Sequence, residues 1–237
     1  MPPVIIAHRT SPRDAPENSL EGIRRSAELG ADYVEVDVRL TRDGVPVMLH
    51  DALLLRTTVR PWPVTWATAK GLRRARLRSS GEPVPTFAEA VAALPDGIGL
   101  AIDTKDPDAA DAVVEELRQQ DKLPRTLLWA QSKRTVRRYV ELAGDEAPEV
   151  ALLRDAFTPE AIDQFLRDAT DCGATAISAH QDTVDEAFID RAHGAGLRVH
   201  CWFQDLTTQA RLATLPLDGI VTDWPVDARE RSHAGRG

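Results

Sequence analysis

Short apolar runs alternate along the chain with longer segments of helical period. The runs, rich in Val, Ile and Leu, fall at residues 4–7, 33–38, 99–105, 125–130, 149–154, 174–179, 198–203 and 219–222. Runs this short between amphipathic stretches are the pattern of βα units feeding a parallel sheet. The intervening helices are predicted at 19–29, 87–94, 109–120, 133–142, 159–169, 185–195 and 207–214. Thr158 before Pro159 is a start signal, and Gly30, Gly144, Gly173 and Gly196 are stop signals. Asp106-Pro107-Asp108 reads as a further helix start, with carboxylates at the positive end of the dipole. Eight strands with no G-x-G-x-x-G after the first predict a closed (β/α)8 TIM barrel rather than an open doubly wound sheet. With 237 residues the chain has the length of one such barrel, so a single domain over 1–237 is expected.

Two segments break the repeat. Residues 46–50 are strand-like but follow the second strand after only 41–45, too short for a parallel crossover, so they must return antiparallel as a hairpin arm. Asp43-Gly44 suits a two-residue turn, which would set Asp37 opposite His50. Residues 52–85 have little periodicity, with Pro61 and Pro63 early and Ser79, Ser80 and Gly81 late. They are expected to form a small insertion over the barrel mouth that can be shortened without loss of the fold.

Period two sorts each barrel strand into a helix-facing and an inward-facing set. In Tyr33-Val34-Glu35-Val36-Asp37-Val38 the valines share one face, which turns Glu35 and Asp37 into the barrel. In the strand at 99–105, Leu100 and Ile102 take the helix side, leaving Ala101, Asp103 and Lys105 inward. Three carboxylates crowded in a low-dielectric cavity raise one another's pKa unless a cation holds them ionised, and an all-oxygen donor set suits one Mg²⁺ or Ca²⁺ ion. His8 and Arg9 follow the first strand at the rim where barrel enzymes keep their sites, and the hairpin brings His50 to the same region. Two histidines beside a hard cation, with Arg9 and Lys105 as anion clamps, have the parts for acid–base attack on a phosphodiester. Of the other histidines, His180 is expected at the rim, His193 in solvent and His200 inside the barrel.

Charge narrows the partners. Lys and Arg number 29 against 37 Asp and Glu, a net charge of −8 that opposes nucleic-acid binding. One stretch runs the other way: between Asp51 and Glu82 there is no acidic residue, while Arg56, Arg60, Lys70, Arg73, Arg74, Arg76 and Arg78 are interleaved with Trp62 and Trp66. A solvated insertion is the leading reading of that stretch, and weak contact with an anionic lipid surface the alternative. Cys172 and Cys201, lacking C-x-x-C spacing, suggest reduced thiols rather than a disulfide or zinc site. No secretory leader and no apolar run of membrane-spanning length is recognised, so a soluble, cytoplasmic protein is expected.

The motifs together resemble the glycerophosphodiester phosphodiesterase family. They are Ala7-His8-Arg9, Pro16-Glu17-Asn18-Ser19, Gly30-Ala31-Asp32, Glu35-Val36-Asp37-Val38, Thr41-Arg42-Asp43-Gly44, Pro46 to Asp51 and Arg56-Thr57-Thr58. Val84 to Ala90, Ile102-Asp103-Thr104-Lys105, Gly196 to Val199 with Trp202, and Asp218 to Asp223 with Pro225 continue the likeness. The resemblance implies a (β/α)8 barrel that hydrolyses glycerophosphodiesters to glycerol 3-phosphate and an alcohol. It implies catalytic histidines at His8 and His50 and metal carboxylates at Glu35, Asp37 and Asp103; His50, set opposite Asp37 beside the metal, leaves His8 favoured as base. Arg9 and Lys105 would meet phosphate, and Trp202 would line the glycerol side of the pocket. Alternatives are a lysophospholipase D-like hydrolase and a barrel that binds phosphodiesters without turnover. Three positions depart from the family pattern: Thr10 stands where Gly is usual, Asp103 where Glu is usual, and Phe203-Gln204-Asp205 where Thr-Val-Asn is frequent.

Overall fold

The computed structural model describes residues 2–203 and 205–234; Gln204, one of the departing residues, lies outside them. Among the described residues nine strands make one sheet: β1 (Val4–Ala7), β2 (Tyr33–Leu40), β3 (Pro46–Met48), β4 (Gly99–Thr104), β5 (Thr126–Ala130), β6 (Glu149–Leu153), β7 (Ala176–His180), β8 (Arg198–Trp202) and β9 (Gly219–Thr222). All but β3 are parallel and close into a ring through the β1–β2 and β1–β9 pairings, while β3 hangs antiparallel on β2. The expected eight-stranded barrel is present, each strand within two residues of its predicted ends.

Alternation along the strands separates two layers. Val34, Val36 and Val38 pack outward with Ile23, Phe87, Ala90 and Val91 of the surrounding helices. Ile6, Ala101, Leu127, Trp129, Ala151, Ala176 and Val221 fill the interior. Below them Glu149 is buried, accepting from Trp129 Nε1 at 2.8 Å and meeting His200 Nε2 at 2.8 Å, which accounts for an inward histidine in this layer.

The helices are α1 (Leu20–Glu28), α2 (Ala69–Leu72), α3 (Phe87–Ala93), α4 (Ala110–Gln119), α5 (Lys133–Ala143), α6 (Pro159–Asp171), α7 (Glu186–Gly194), α8 (Leu206–Leu212) and α9 (Pro225–Ala234). Side-chain caps from Ser19, Thr86, Ser132, Thr158, Asp185 and Asp205 satisfy their first-turn amides, with a full capping box between Thr86 and Glu89. The sequence pattern had not shown α9, because its segment carries no apolar stripe; its buried residues, among those described, are Pro225, Ala228 and Ser232.

The hairpin differs from expectation by one residue. Val38 pairs with Met48, Arg39 with Val47 and Leu40 with Pro46, so Asp37 faces Leu49, whose amide donates to the Asp37 carbonyl at 3.0 Å. The loop has three residues, Arg42-Asp43-Gly44, closed by Thr41 and Val45 and ending on Gly44 at φ 76°, the left-handed position this longer loop requires. The Thr41 hydroxyl accepts from Val45 N at 3.0 Å, which stabilises the wider closure.

The insertion, too, departs from the expected loose cover. Leu54, Val64, Leu72, Ala75, Leu77 and Val84 form a second buried cluster with Val47 and Leu49 of the hairpin arm. The segment therefore packs as the underside of the arm that carries His50.

Candidate active site

Backbone conformation fixes the first wall. After β1, Arg9, Thr10 and Ser11 take φ of 42°, 64° and 58°, three left-handed residues in a row. A β-branched residue is uncomfortable there, whereas glycine would take the same backbone angles freely. Thr10 is held by donating to Pro16 O at 3.2 Å, by accepting from Ser19 N at 3.3 Å, and by its fit against Gly22, where a Cβ would come within 2.2 Å of Thr10 Oγ1. The twist aims the Arg9 amide at Glu35, donating to Oε2 at 2.6 Å.

Glu35, Asp37 and Asp103 project inward at the same end of the barrel, Asp37 and Asp103 side by side in the β2–β4 ladder. They are only 3%, 1% and 6% exposed, and one oxygen from each lies within 4.8 Å of the others. Two cations oppose the three charges: Lys105 Nζ lies 3.0 Å from Asp37 and also contacts Asp103, and Arg9 Nε lies 3.4 Å from Asp37. Asn18 fixes Asp37 from both sides, donating to Oδ2 at 2.8 Å and accepting from its amide at 3.0 Å. Burial would raise Asp37, but Lys105, Arg9, His50 and the Asn18 hydrogen bond outweigh it and hold this carboxyl low. Burial and the Asp37 charge push Glu35 up to about 7, and burial raises Asp103 despite Lys105. Asp103 Oδ1 is buried with no hydrogen-bond partner. A compact set of carboxylates, under-neutralised and with an orphaned oxygen, fits a hard divalent cation.

Each histidine rests on a carboxylate. His8 Nδ1 meets Asp223 Oδ1 at 2.7 Å and His50 Nδ1 meets Asp51 Oδ1 at 2.7 Å, which leaves Nε2 of each ring free for chemistry. Asp51 is itself gripped by Arg56, which donates both guanidinium arms to Glu17 at 2.6 Å. Burial lowers His8, but the Asp223 hydrogen bond and the Glu35 charge prevail and its pKa rises. For His50 burial wins, helped by Lys105 and Arg9 against Asp37 and Asp51, and its pKa falls.

These groups share a cavity of about 420 Å³. All eight residues singled out in the sequence line it: His8, Arg9, Glu35, Asp37, His50, Asp103, Lys105 and Trp202. Sequence reading missed the rest of the wall, namely Trp129, Gln131, Leu153, Arg154, Asp155, Ser178 and Val221, and the supports Asn18, Asp51 and Asp223. Gln131, Arg154 and Asp223 each sit at or just past a strand's carboxyl end, a position that could have flagged them. His180 lies outside the cavity, edge-on to Trp202 at 4.5 Å, and His193 pairs with Asp218 at the surface.

Comparison with known proteins agrees with this geometry. Residues 8–227 match the model of the glycerophosphoryl diester phosphodiesterase family. The chain is 31% identical to the Mycobacterium tuberculosis protein named "Probable glycerophosphodiester phosphodiesterase 2" over 93% of its own length and 87% of the relative's. Its fold is shared by a phosphodiesterase of Oleispira antarctica solved with sn-glycerol-3-phosphate, at TM-score 0.85 and 24% identity over 98% and 97% of the two chains. A glycerophosphodiester phosphodiesterase of Agrobacterium tumefaciens superposes at TM-score 0.79 and 24% identity over 95% and 99%. A family match over nearly the whole barrel, on a chain that gathers these residues in one cavity, shows that this protein belongs to the glycerophosphoryl diester phosphodiesterase family of hydrolases.

Proposed function

We propose that the chain hydrolyses glycerophosphodiesters to glycerol 3-phosphate and an alcohol by acid–base catalysis between His8 and His50. The observation that carries this reading is the pairing of two carboxylate-supported histidines with three inward carboxylates in one cavity. Glu35, Asp37 and Asp103 would hold one Mg²⁺ or Ca²⁺ ion, whose chemistry there is to polarise the phosphoryl oxygens. With its shorter side chain, Asp103 leaves room for a water in that shell. Arg9 and Lys105 clamp the phosphate as fork and point donors respectively. The glycerol half lies against Trp202 and the polar wall of Gln131, Asp155 and Ser178.

His8 Nε2 takes a proton from the attacking water as its oxygen forms a new P–O bond. The P–O bond to the alcohol then breaks, and His50 Nε2 gives that oxygen a proton. Overall one water is consumed, leaving a phosphate monoester. The opposite pKa shifts suit these roles, since a raised His8 is the stronger base and a lowered His50 the stronger acid. Neutralising Glu35 with a cation also removes one of the charges that keep His8 protonated. The sn-glycerol-3-phosphate bound by the Oleispira antarctica protein of the same fold supports glycerol 3-phosphate as the product here.

Contact with an anionic lipid surface is a weaker reading. Arg56, Arg73 and Arg78 are occupied by Glu17 and Asp51, by Glu89, and by the Leu55 and Thr58 carbonyls, which leaves a shorter basic row. Release of glycerol 3-phosphate, followed with a coupled dehydrogenase across several diesters with and without cation, tests the main reading. No release from any glycerophosphodiester with Mg²⁺ or Ca²⁺ present would overturn it.

A further inference from the structure

We propose that the apolar face of the insertion beside His50 is a subsite for a hydrocarbon chain borne on the alcohol half of the substrate, an inference that rests on the diesterase reading above. The run Leu53-Leu54-Leu55 alternates: Leu54 is buried in the cluster under the hairpin, whereas Leu53 and Leu55 are 51% and 49% exposed. An antiparallel bridge from Leu53 to Pro63, with Leu54 N donating to Trp62 O at 3.1 Å, fixes that alternation and brings Trp62 alongside. Among the described residues, five of the seven exposed large apolar side chains fall in this segment: Leu53, Leu55, Val59, Trp62 and Trp66. Of these, Leu53 and Leu55 line a cavity that also contains His50, and a cluster of exposed apolar side chains so placed is characteristic of a ligand-binding face rather than of scattered surface residues.

Continuity identifies the occupant. His50 lines both the catalytic cavity and a second, open cavity of about 550 Å³ floored by Ala52, Leu53 and Leu55. A diester whose glycerol sits on the polar wall therefore sends its alcohol past His50 onto the leucines. The two cations at this cavity are already used, Arg39 by Asp106 at 2.8 Å and by the His50 carbonyl at 2.8 Å, and Arg56 by Glu17 and Asp51. With no free positive charge to meet an anionic headgroup, the groove favours neutral hydrocarbon. The substrate class is thus a glycerol 3-phosphate ester of a long-chain alcohol.

The test uses the ethyl, octyl and dodecyl esters of glycerol 3-phosphate below their micelle concentrations, with the intact cation-loaded protein. From ethyl to dodecyl, kcat/KM should rise at least about tenfold, mainly through KM, since even partial burial of ten methylenes outweighs that factor. Leu53→Asp with Leu55→Asp should abolish the rise while leaving ethyl-ester turnover and Tm unchanged, because both side chains face solvent. The inference is overturned if kcat/KM is flat along the series or if the rise survives in the double variant. It is also overturned if only lysophosphatidylcholine, with its chain on glycerol, gains, or if dodecyl ester gains only on phosphatidylcholine vesicles. Failure to cleave even the ethyl ester would instead strike the diesterase reading. The groove is then read without turnover, by Trp fluorescence of the His8→Ala protein, where dodecyl ester should bind at least about tenfold tighter than ethyl ester. Equal binding of the two overturns the inference.

Discussion

Glu35 makes the stability of the cation-free protein fall as pH rises. An ordinary glutamate pKa of 4.5 is pushed up to about 7 here, by burial first and by Asp37 second. Between those two values the folded protein holds a proton that the unfolded chain has lost. Stability contributed by the protonated form is therefore complete below about pH 4.5 and gone above about pH 7. A shift of that size corresponds to about 3 kcal/mol, or roughly 6–12 °C in Tm for a chain of this length. Mg²⁺ or Ca²⁺ held by the three carboxylates flattens the slope, because Glu35 then carries no proton in the folded protein across this range. At a hundred times its Kd an ion adds about 2.7 kcal/mol, and its affinity should drop about tenfold per pH unit below about pH 7 as Glu35 is protonated. Scanning calorimetry across this range, with chelator and with each cation, measures both effects, and Glu35→Gln provides the control that should flatten the chelated profile. The reasoning fails if wild type and Glu35→Gln show the same slope in chelator, or if neither cation raises Tm.

His8→Ala and His50→Ala should each lower kcat by at least ~100-fold on a natural diester while Tm and cation-induced stabilisation persist, as read by steady-state kinetics and calorimetry. A nitrophenyl diester, whose leaving group needs little protonation, should partly rescue His50→Ala and not His8→Ala. Asp168 is held by Lys133, Arg154 and Gln164 at 2.7, 2.7 and 2.8 Å, and the Lys133 hydrogen bond leads the set that depresses its pKa. Its stabilisation is present above the unfolded value near 3.8 and lost as pH falls below it, so Asp168→Asn should cost about 1–2 kcal/mol at neutral pH and nothing in strong acid by denaturant titration. Removing 61–78 deletes Val64, Leu72, Ala75 and Leu77 and bares Val47 and Leu49, which should cost ~4 kcal/mol or more and abolish turnover of even small diesters. Unchanged Tm and activity in that deletion would show that the hairpin arm stands without its underside.

How much of this was legible in the chain depended on the range of the interaction. Strand periodicity is local, so alternating valines were enough to turn Glu35 and Asp37 inward, and Leu100 and Ile102 to do the same for Asp103. The rim rule then placed His8 near them, because it follows directly on β1, and the antiparallel hairpin arm brought His50 to the same region. One residue of hairpin register escaped, since Asp43-Gly44 serves a two-residue or a three-residue loop equally and only the Thr41–Val45 closure decides between them. Thr10 was visible as a departure, but its left-handed φ of 64° follows from the tight approach to Gly22 of α1, which no local pattern encodes. Asp223 lies 215 residues from His8, and Arg56 lies 39 from Glu17, so both pairings exist only because the barrel closes and the insertion folds back. The buried cluster beneath His50 was hidden for the same reason: its apolar residues are scattered without period from 47 to 84 and meet only in three dimensions. The sequence by itself thus determined the barrel and the inward charges, whose cause is a two-residue repeat, while the tertiary structure alone decided what supports each histidine and what lies beside it.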